Sequence, residues 1–150
     1  MKNKKKADWL DWLLRIAIVL GIIGTFYFSY SPAKNYVTAK QEEAKIEEVS
    51  KKVVENTNDY PDVKEIKKST NEDVVGWIRV PGTNIDEPIL QTTDNDYYLN
   101  HSLTKEELDV GSIFLDAKAN SNYDNNFNFV FGHNTYIDNK FTQLRKFSDP

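Results

Sequence analysis

Two histidines are the side chains of this 150-residue chain best suited to proton transfer near neutral pH. His133 lies in Gly132-His133-Asn134, directly after an aromatic segment with the pattern of a strand. A side chain at the end of a strand is held in place and still opens to a cleft, so His133 is the candidate catalytic residue. His101 lies in the polar segment Asn100-His101-Ser102, which we interpret as a loop without a catalytic role.

The other residue types leave few alternatives for chemistry. The sequence has no cysteine, so it offers no disulfide, no thiolate metal ligand and no cysteine nucleophile. No pair of histidines has metal-ligand spacing, and no serine has the glycine pattern of a nucleophile elbow. The acidic pairs Asp94/Asp96 and Glu106/Glu107 are interpreted as solvated turns and helix starts. We therefore expect neither a metal nor another cofactor.

The amino-acid composition limits the classes of partner that this protein can bind. The chain carries 19 basic and 23 acidic residues, and its net charge of −4 argues against nucleic acid as the main partner. Hydrophobic residues make up 39% of the sequence, which excludes a wholly disordered chain. The charge is divided: the first 33 residues have five basic and two acidic side chains, whereas the remainder is acidic. This division indicates a protein that occupies two environments.

An apolar run near the N-terminus predicts a membrane helix. Residues 16–33 carry no charge, and tryptophans and tyrosines lie near the two ends of the run. A helix that crosses the hydrocarbon core needs about 20 apolar residues, and aromatic rings favour the interface. We predict a basic cytoplasmic tail over residues 1–8 and a single-pass signal-anchor over residues 9–33, with the C-terminal domain extracellular at the cell membrane.

Two other interpretations of the apolar run compete with the membrane anchor. A buried helix of a soluble protein is disfavoured by the lysine cluster and by apolar character all around the helix. A cleaved signal peptide is the stronger competitor, because Ser31-Pro32-Ala33 loosely resembles a small-residue cleavage site. The apolar stretch is long for a signal-peptide core, so the interpretation as a retained anchor is favoured.

The segment after the anchor predicts a helical linker or stalk over residues 34–60. Thr38 and Gln41 have the spacing of a capping box, which predicts a helix over 39–55. A break over 56–61 separates it from a short helix that is capped by Asp62 and Glu65 and runs through Lys68.

From residue 71 onward, short apolar segments separated by turn residues predict a mainly β fold. Pro81-Gly82 is a turn signal, because proline presets φ and glycine accepts positive φ. Asp138 or Asn139 is expected to cap a last helix whose apolar side chains point inward. The predicted strands cover 74–80, 85–91, 112–115 and 127–131, and the inward side chains of the last helix are Phe141, Leu144 and Phe147.

Four ordered motifs in residues 60–150 resemble those of class B sortases. They are DVVGWIRVPGTNIDEPILQ at 73–91, DNDYYLNH at 94–101, GSIFLD at 111–116 and FVFGHN at 129–134. The resemblance implies a sortase-like, mostly antiparallel β-barrel of eight strands, of which residues 61–150 would be the N-terminal part. It also implies that His133 is the catalytic histidine of a cysteine transpeptidase from Gram-positive bacteria.

The resemblance implies partners as well. A sortase cleaves a C-terminal sorting signal on a secreted protein and joins that protein to an amine of a cell-wall precursor or a pilin. The family's nucleophile is a cysteine, and an arginine stabilises the substrate backbone or the oxyanion. The membrane is contacted through the N-terminal helix.

The sequence departs from the family at the nucleophile. The family's cysteine and arginine follow the histidine on late strands, whereas this chain has no cysteine, and neither Arg79 nor Arg145 matches the arginine motif. We expect a domain truncated before the nucleophile, inactive alone, with exposed strand edges. Two alternatives stay open: a non-catalytic, membrane-anchored binding or structural protein on a sortase-like scaffold, and an unrelated exported enzyme that uses His133 with a metal.

Overall fold

The computed structural model describes the backbone of residues 2–54 and 60–148 and the side chains of residues 9–51 and 60–148. The chain divides into two compact units, Met1–Lys34 and Asn35–Pro150. Helix α1 covers Lys2–Val54 and contains Pro32. The predicted capping box at Thr38 is therefore wrong: Thr38 lies inside α1, and its hydroxyl donates to the carbonyl of Asn35. The expected helix end at residue 55 and most of the break over 56–61 lie outside the described residues.

The first unit consists of the apolar part of α1. Within the described residues, α1 contains one candidate membrane span by length and composition, with an 18-residue window of mean hydropathy 1.8 that has no buried residue. Large side chains such as Phe26 and Phe28 are exposed, which is the pattern of a helix whose apolar surface faces lipid. This helix fits a membrane anchor. A signal peptide shares these properties, so retention of the helix and its orientation stay predictions.

The second unit contains a four-stranded sheet in the order β1-β2-β3-β4. The hairpin of β1 and β2 is antiparallel, β3 pairs with β2 in parallel through Leu90 and Phe114, and β4 pairs antiparallel with β3. The turn between β1 and β2 contains Gly82 at φ +86°, as the Pro81-Gly82 signal predicted. The strands are β1 Val74–Arg79, β2 Asp86–Leu90, β3 Phe114–Leu115 and β4 Val130–Phe131.

Short helices complete the second unit. Helix α2 covers Val63–Ser69, and the Asp62 carboxylate accepts from the backbone N–H of Lys64 and Glu65, which confirms the predicted cap. A 3₁₀ turn, η1, covers Tyr97–Leu99, and a 3₁₀ segment, η2, covers Lys140–Phe147. The C-terminal part of α1 packs on this unit, because Ala39 and Ile46 are buried in its core.

The mainly β fold class is confirmed only in part: the sheet is present, but helix makes up a larger share of the chain than predicted. The described residues are dominated by α1, the sheet has four short strands, and they do not form a closed barrel. The predicted strand over 127–131 is reduced to Val130–Phe131, and Phe127 and Phe129 are exposed. The prediction placed Phe127, Phe129 and Phe131 on one face of this strand, but of the three only Phe131 lies in β4.

The last segment is also built differently from the prediction. η2 begins after Asn139, but the Asn139 side chain makes no capping hydrogen bond. Leu144 and Phe147 are exposed, and the buried side chains are those of Lys140, Thr142 and Gln143. Phe141 packs against the core as predicted. The buried side chains of Lys140 and Gln143 are instead held by polar contacts, to the carboxylate of Glu87 and to the carbonyl of Asp138.

Candidate active site around His133

His133 follows β4 and is half-buried beside η1. Its Nε2 atom lies 2.6 Å from the carbonyl oxygen of Leu99, at the end of η1. A carbonyl oxygen only accepts hydrogen bonds, so Nε2 carries the proton in this contact. The neutral ring then has its lone pair on Nδ1, which is the nitrogen able to accept a proton. The arrangement suits a residue that alternately donates and accepts protons.

The strand side of the site is held by aromatic packing. The ring of Phe131 lies 5.4 Å from the ring of Phe114 across the β3–β4 pair. A Cβ atom on Gly132 would lie 3.0 Å from the ring of Phe141. The backbone just before His133 is therefore fixed between β3 and η2, which limits the positions that the imidazole can reach.

The η1 turn is anchored at its start by a carboxylate. The Asp94 side chain accepts from the backbone N–H of Asp96 at 2.9 Å and of Tyr97 at 2.8 Å. The hydrogen bonds from Tyr97 and then Asp96 hold the pKa of Asp94 below its usual value, because they favour the charged form. An ionised Asp94 therefore fixes the turn whose last carbonyl contacts His133.

The middle of η1 is anchored by the buried side chain of Tyr98. Its hydroxyl donates to Asp73 at 2.7 Å and accepts from the side-chain amide of Asn71 at 2.9 Å. Lys105 forms an ion pair with the same Asp73 carboxylate at 2.9 Å. Burial raises the pKa of Tyr98 well above its usual value, so the phenol stays protonated and keeps donating.

His101 is held by the same turn but in a different way. Its Nδ1 donates to the carbonyl of Tyr97 at 2.7 Å, and its ring stacks on the Tyr97 ring at 3.9 Å between centroids. Both contacts of the His101 ring are therefore with Tyr97, and both hold the ring in place. This geometry supports the interpretation of His101 as a residue without a catalytic role.

Arg79 lies in the β1–β2 hairpin, where its side chain is held by a carboxylate and an aromatic ring. Arg79 donates to the carboxylate of Asp86 at 3.0 Å across the β1–β2 hairpin, and its guanidinium lies 4.5 Å above the ring of Tyr60. The same Asp86 oxygen accepts from the indole N–H of Trp77 at 2.6 Å. Arg79 therefore stabilises the hairpin.

A separate cavity of about 360 Å³ lies elsewhere in the second unit. Beside it, the buried ammonium of Lys140 forms an ion pair with the buried carboxylate of Glu87. His133 is not among its lining residues, which are Glu43, Ile46, Glu47, Ser50, Lys51, Asn84, Asp86, Glu87, Asn139 and Lys140. Within residues 2–54 and 60–148, no three histidine, aspartate or glutamate side chains are grouped so that they could hold a metal ion.

Leu99 was not singled out by sequence reasoning. It contributes a backbone carbonyl, which every residue has, and it lies 34 residues before His133 in the chain. No residue type marks such a contact in a sequence. The only available signal was the short apolar-aromatic segment 97–99 between two polar turns.

Comparison with known proteins finds sortases among the relatives of this chain. No family model matches the chain. It is 42% identical over 79 residues to "Sortase B" of Listeria monocytogenes, covering 53% of this chain and 32% of that protein. It is 29% identical over 139 residues to "Sortase B" of Staphylococcus aureus, covering 89% of this chain and 57% of that protein.

The fold comparison agrees with the sequence comparison. The crystal structure of sortase B from Bacillus anthracis matches with a TM-score of 0.66 and 29% identity, over 77% of this chain and 56% of that structure. The chain therefore spans less than two thirds of the length of the relatives that it matches.

Proposed function

We propose that this chain, which is similar to class B sortases in sequence and in fold, is the membrane-anchored, histidine-bearing part of a cysteine transpeptidase. The substrates would be secreted proteins with a C-terminal sorting signal, and the acceptors would be amines of a cell-wall precursor or a pilin. The carrying observation is the position of His133 after β4, with its Nε2 bonded to the carbonyl of Leu99. The β-barrel of the family would be completed by strands additional to the four described here.

In the proposed reaction, a cysteine thiolate attacks the carbonyl carbon of the scissile peptide bond. His133 in its protonated form donates a proton to the departing amine as the thioester forms. The acceptor amine then attacks the thioester, His133 removes a proton from that amine, and the thiolate leaves. The two proton transfers balance, so the imidazole returns to its starting state.

The 150 residues contain no cysteine, so we propose that this polypeptide alone forms no acyl-enzyme. A complementary activity test supplies the nucleophile. Residues 35–148, which include the part of α1 buried in the core of the second unit, are joined to the C-terminal part of the Listeria monocytogenes relative, which is 42% identical over the matched region. Joining of a sorting-signal peptide to an amine is then measured by mass spectrometry, with the 150-residue chain as the negative control.

The matched pair of variants is His133→Gln and His101→Gln in this chimera. Loss of proton transfer at His133 is expected to lower the rate by about 10²–10⁴-fold, whereas His101→Gln keeps at least half of it. A chimera that retains its rate with His133→Gln would contradict the proposed role. Peptide joining by the 150-residue chain itself would contradict the need for a cysteine.

The proposed location is the cell membrane, with a cytoplasmic N-terminus and an extracellular second unit. It is supported by the basic tail and by the exposed apolar side chains of α1. Protease treatment of intact protoplasts should remove an epitope placed after residue 148 and spare one placed before residue 9. Release of the second unit into the medium with a new N-terminus near residue 34 would instead show a cleaved signal peptide.

A second candidate function is a non-catalytic, membrane-anchored binding or structural protein. The absence of cysteine from the 150 residues favours it. In that case the purified second unit should be folded and monomeric, and it should bind a sorting-signal peptide without cleaving it. An aggregated product that exposes Phe127 and Phe129 would argue against this candidate.

A further inference from the structure

We infer that Gly111 is a positioning residue for His133 and that it acts through the carbonyl of Leu99. The inference rests on the proposed role of His133 in proton transfer, but its structural content is independent of that role. Gly111 lies between Val110 and the segment that leads into β3, and it does not contact the imidazole through a side chain. Its contribution is the space that it leaves beside the end of η1.

The last residue of η1 provides the carbonyl group that accepts a hydrogen bond from the His133 ring. The Leu99 carbonyl oxygen is 2.6 Å from Nε2. The ring is half-buried, and this hydrogen bond sets the direction of the imidazole. A displacement of the carbonyl by a fraction of an ångström would lengthen or break the bond, because hydrogen bonds weaken steeply with poor geometry.

Gly111 lies directly against this carbonyl. A Cβ atom at position 111 would overlap the carbonyl oxygens of Leu99 and Tyr98 and would lie 2.7 Å from the carbonyl carbon of Leu99. These are backbone atoms, so they cannot turn away as the end of a side chain can. Any residue other than glycine at this position must therefore push the end of η1 away from the β3 side of the site.

The backbone around Gly111 is bonded to the same turn. The N–H of Ser112 donates to the carbonyl of Tyr98 at 2.9 Å, and the N–H of Gly111 donates to the carbonyl of Leu108 at 2.8 Å. The turn and the segment 108–112 are thus in contact along their backbones. Glycine permits this close approach, and its φ of +53° is a value that other residues adopt only with strain.

Gly82 provides a matched control. It also has a positive φ, of +86°, but a Cβ atom there would meet nothing closer than the Phe147 ring at 3.8 Å. Gly82→Ala therefore introduces backbone strain without a steric overlap. Gly111→Asn separates the two effects from the other side, because asparagine tolerates positive φ better than alanine but still carries a Cβ atom.

The experiment uses the full chain in detergent micelles and ring-nitrogen NMR. A ring N–H that is held in a hydrogen bond exchanges slowly with water and becomes observable. In the wild-type chain we expect two such signals, from Nε2 of His133 and from Nδ1 of His101. We expect Gly111→Ala and Gly111→Asn to lose the His133 signal and keep the His101 signal, and Gly82→Ala to keep both.

Several results would overturn the inference. Absence of the His133 signal in the wild-type chain would show that the Leu99 contact does not hold the ring. Its persistence in both Gly111 variants would show that Gly111 does not control that contact. Loss of both histidine signals in both variants would show a general structural role instead. None of these results depends on the activity of the chimera, so the two proposals fail separately.

Discussion

The buried ion pair between Lys140 and Glu87 allows a quantitative test of how η2 is attached to the sheet. The side chain of Lys140 is 2% exposed and that of Glu87 is 8% exposed, and the two residues are 53 positions apart in the chain. Removing one member leaves the other buried charge without its hydrogen-bonded partner, which costs about 3–5 kcal/mol. A unit of this size has a total stability of about 5–15 kcal/mol, so the loss is a large fraction of it.

The perturbation is a double-mutant cycle of Glu87→Met, Lys140→Met and the two together. Each single variant should lower the melting temperature by roughly 12–20 °C, at about 4 °C per kcal/mol for a unit of this size. The double variant removes both charges of the pair and fills a similar volume, so it should melt above either single variant. It should still melt below the wild type, because the buried carboxylate of Glu42 loses the attraction of the Lys140 ammonium. The assay is thermal unfolding of the full chain in micelles, followed by near-ultraviolet circular dichroism.

An exposed pair of the same residue types serves as the control. Glu47 and Lys51 form an ion pair in α1 at 2.6 Å with side chains that are 66% and 74% exposed. Glu47→Met should leave the melting temperature unchanged within error, because water screens an exposed pair. Single variants of the buried pair that also melt within a few degrees of wild type, or a strictly additive double variant, would refute the reasoning.

Three further predictions concern single positions. Gly76→Ala should cost about 1–3 kcal/mol, because the new Cβ would overlap the Tyr123 hydroxyl and lie 3.1 Å from its Cζ. Tyr123→Phe on that background should restore part of the melting temperature, and no recovery would contradict the overlap. Asp94 has a folded pKa below its unfolded value of about 3.9, so its contribution is full above that pH and is lost as pH falls through the folded pKa. The Tyr97 amide resonance should therefore shift on acid titration in the wild type and stay constant in Asp94→Asn; the same titration in both would contradict the cap. Phe129→Ser should reduce aggregation measured by light scattering, because Phe129 is 61% exposed, and unchanged scattering would count against an uncovered aromatic face.

Local features of the fold could be predicted from the sequence because their causes are local. The hairpin turn depends on Pro81-Gly82, and the start of α2 depends on the Asp62 carboxylate two and three residues before the amides that it caps. The apolar run before residue 34 predicted a helix with exposed hydrophobic side chains. The errors arose where contacts between distant residues decide the outcome. Lys140 is buried because it meets Glu87, 53 residues away, and the strand predicted over 127–131 pairs with β3 only at Val130 and Phe131.

For the candidate site too, some features could be predicted from the sequence and others could not. The sequence by itself determined the residue type and its place: an imidazole at the end of a strand, in a chain with no cysteine, inside motifs that resemble class B sortases. Only the tertiary structure decided what that imidazole contacts. The Leu99 carbonyl and the backbone of Gly111 are chemically ordinary and distant in sequence from His133. Their importance comes from packing two backbone segments closely together, and no side-chain pattern encodes that distance.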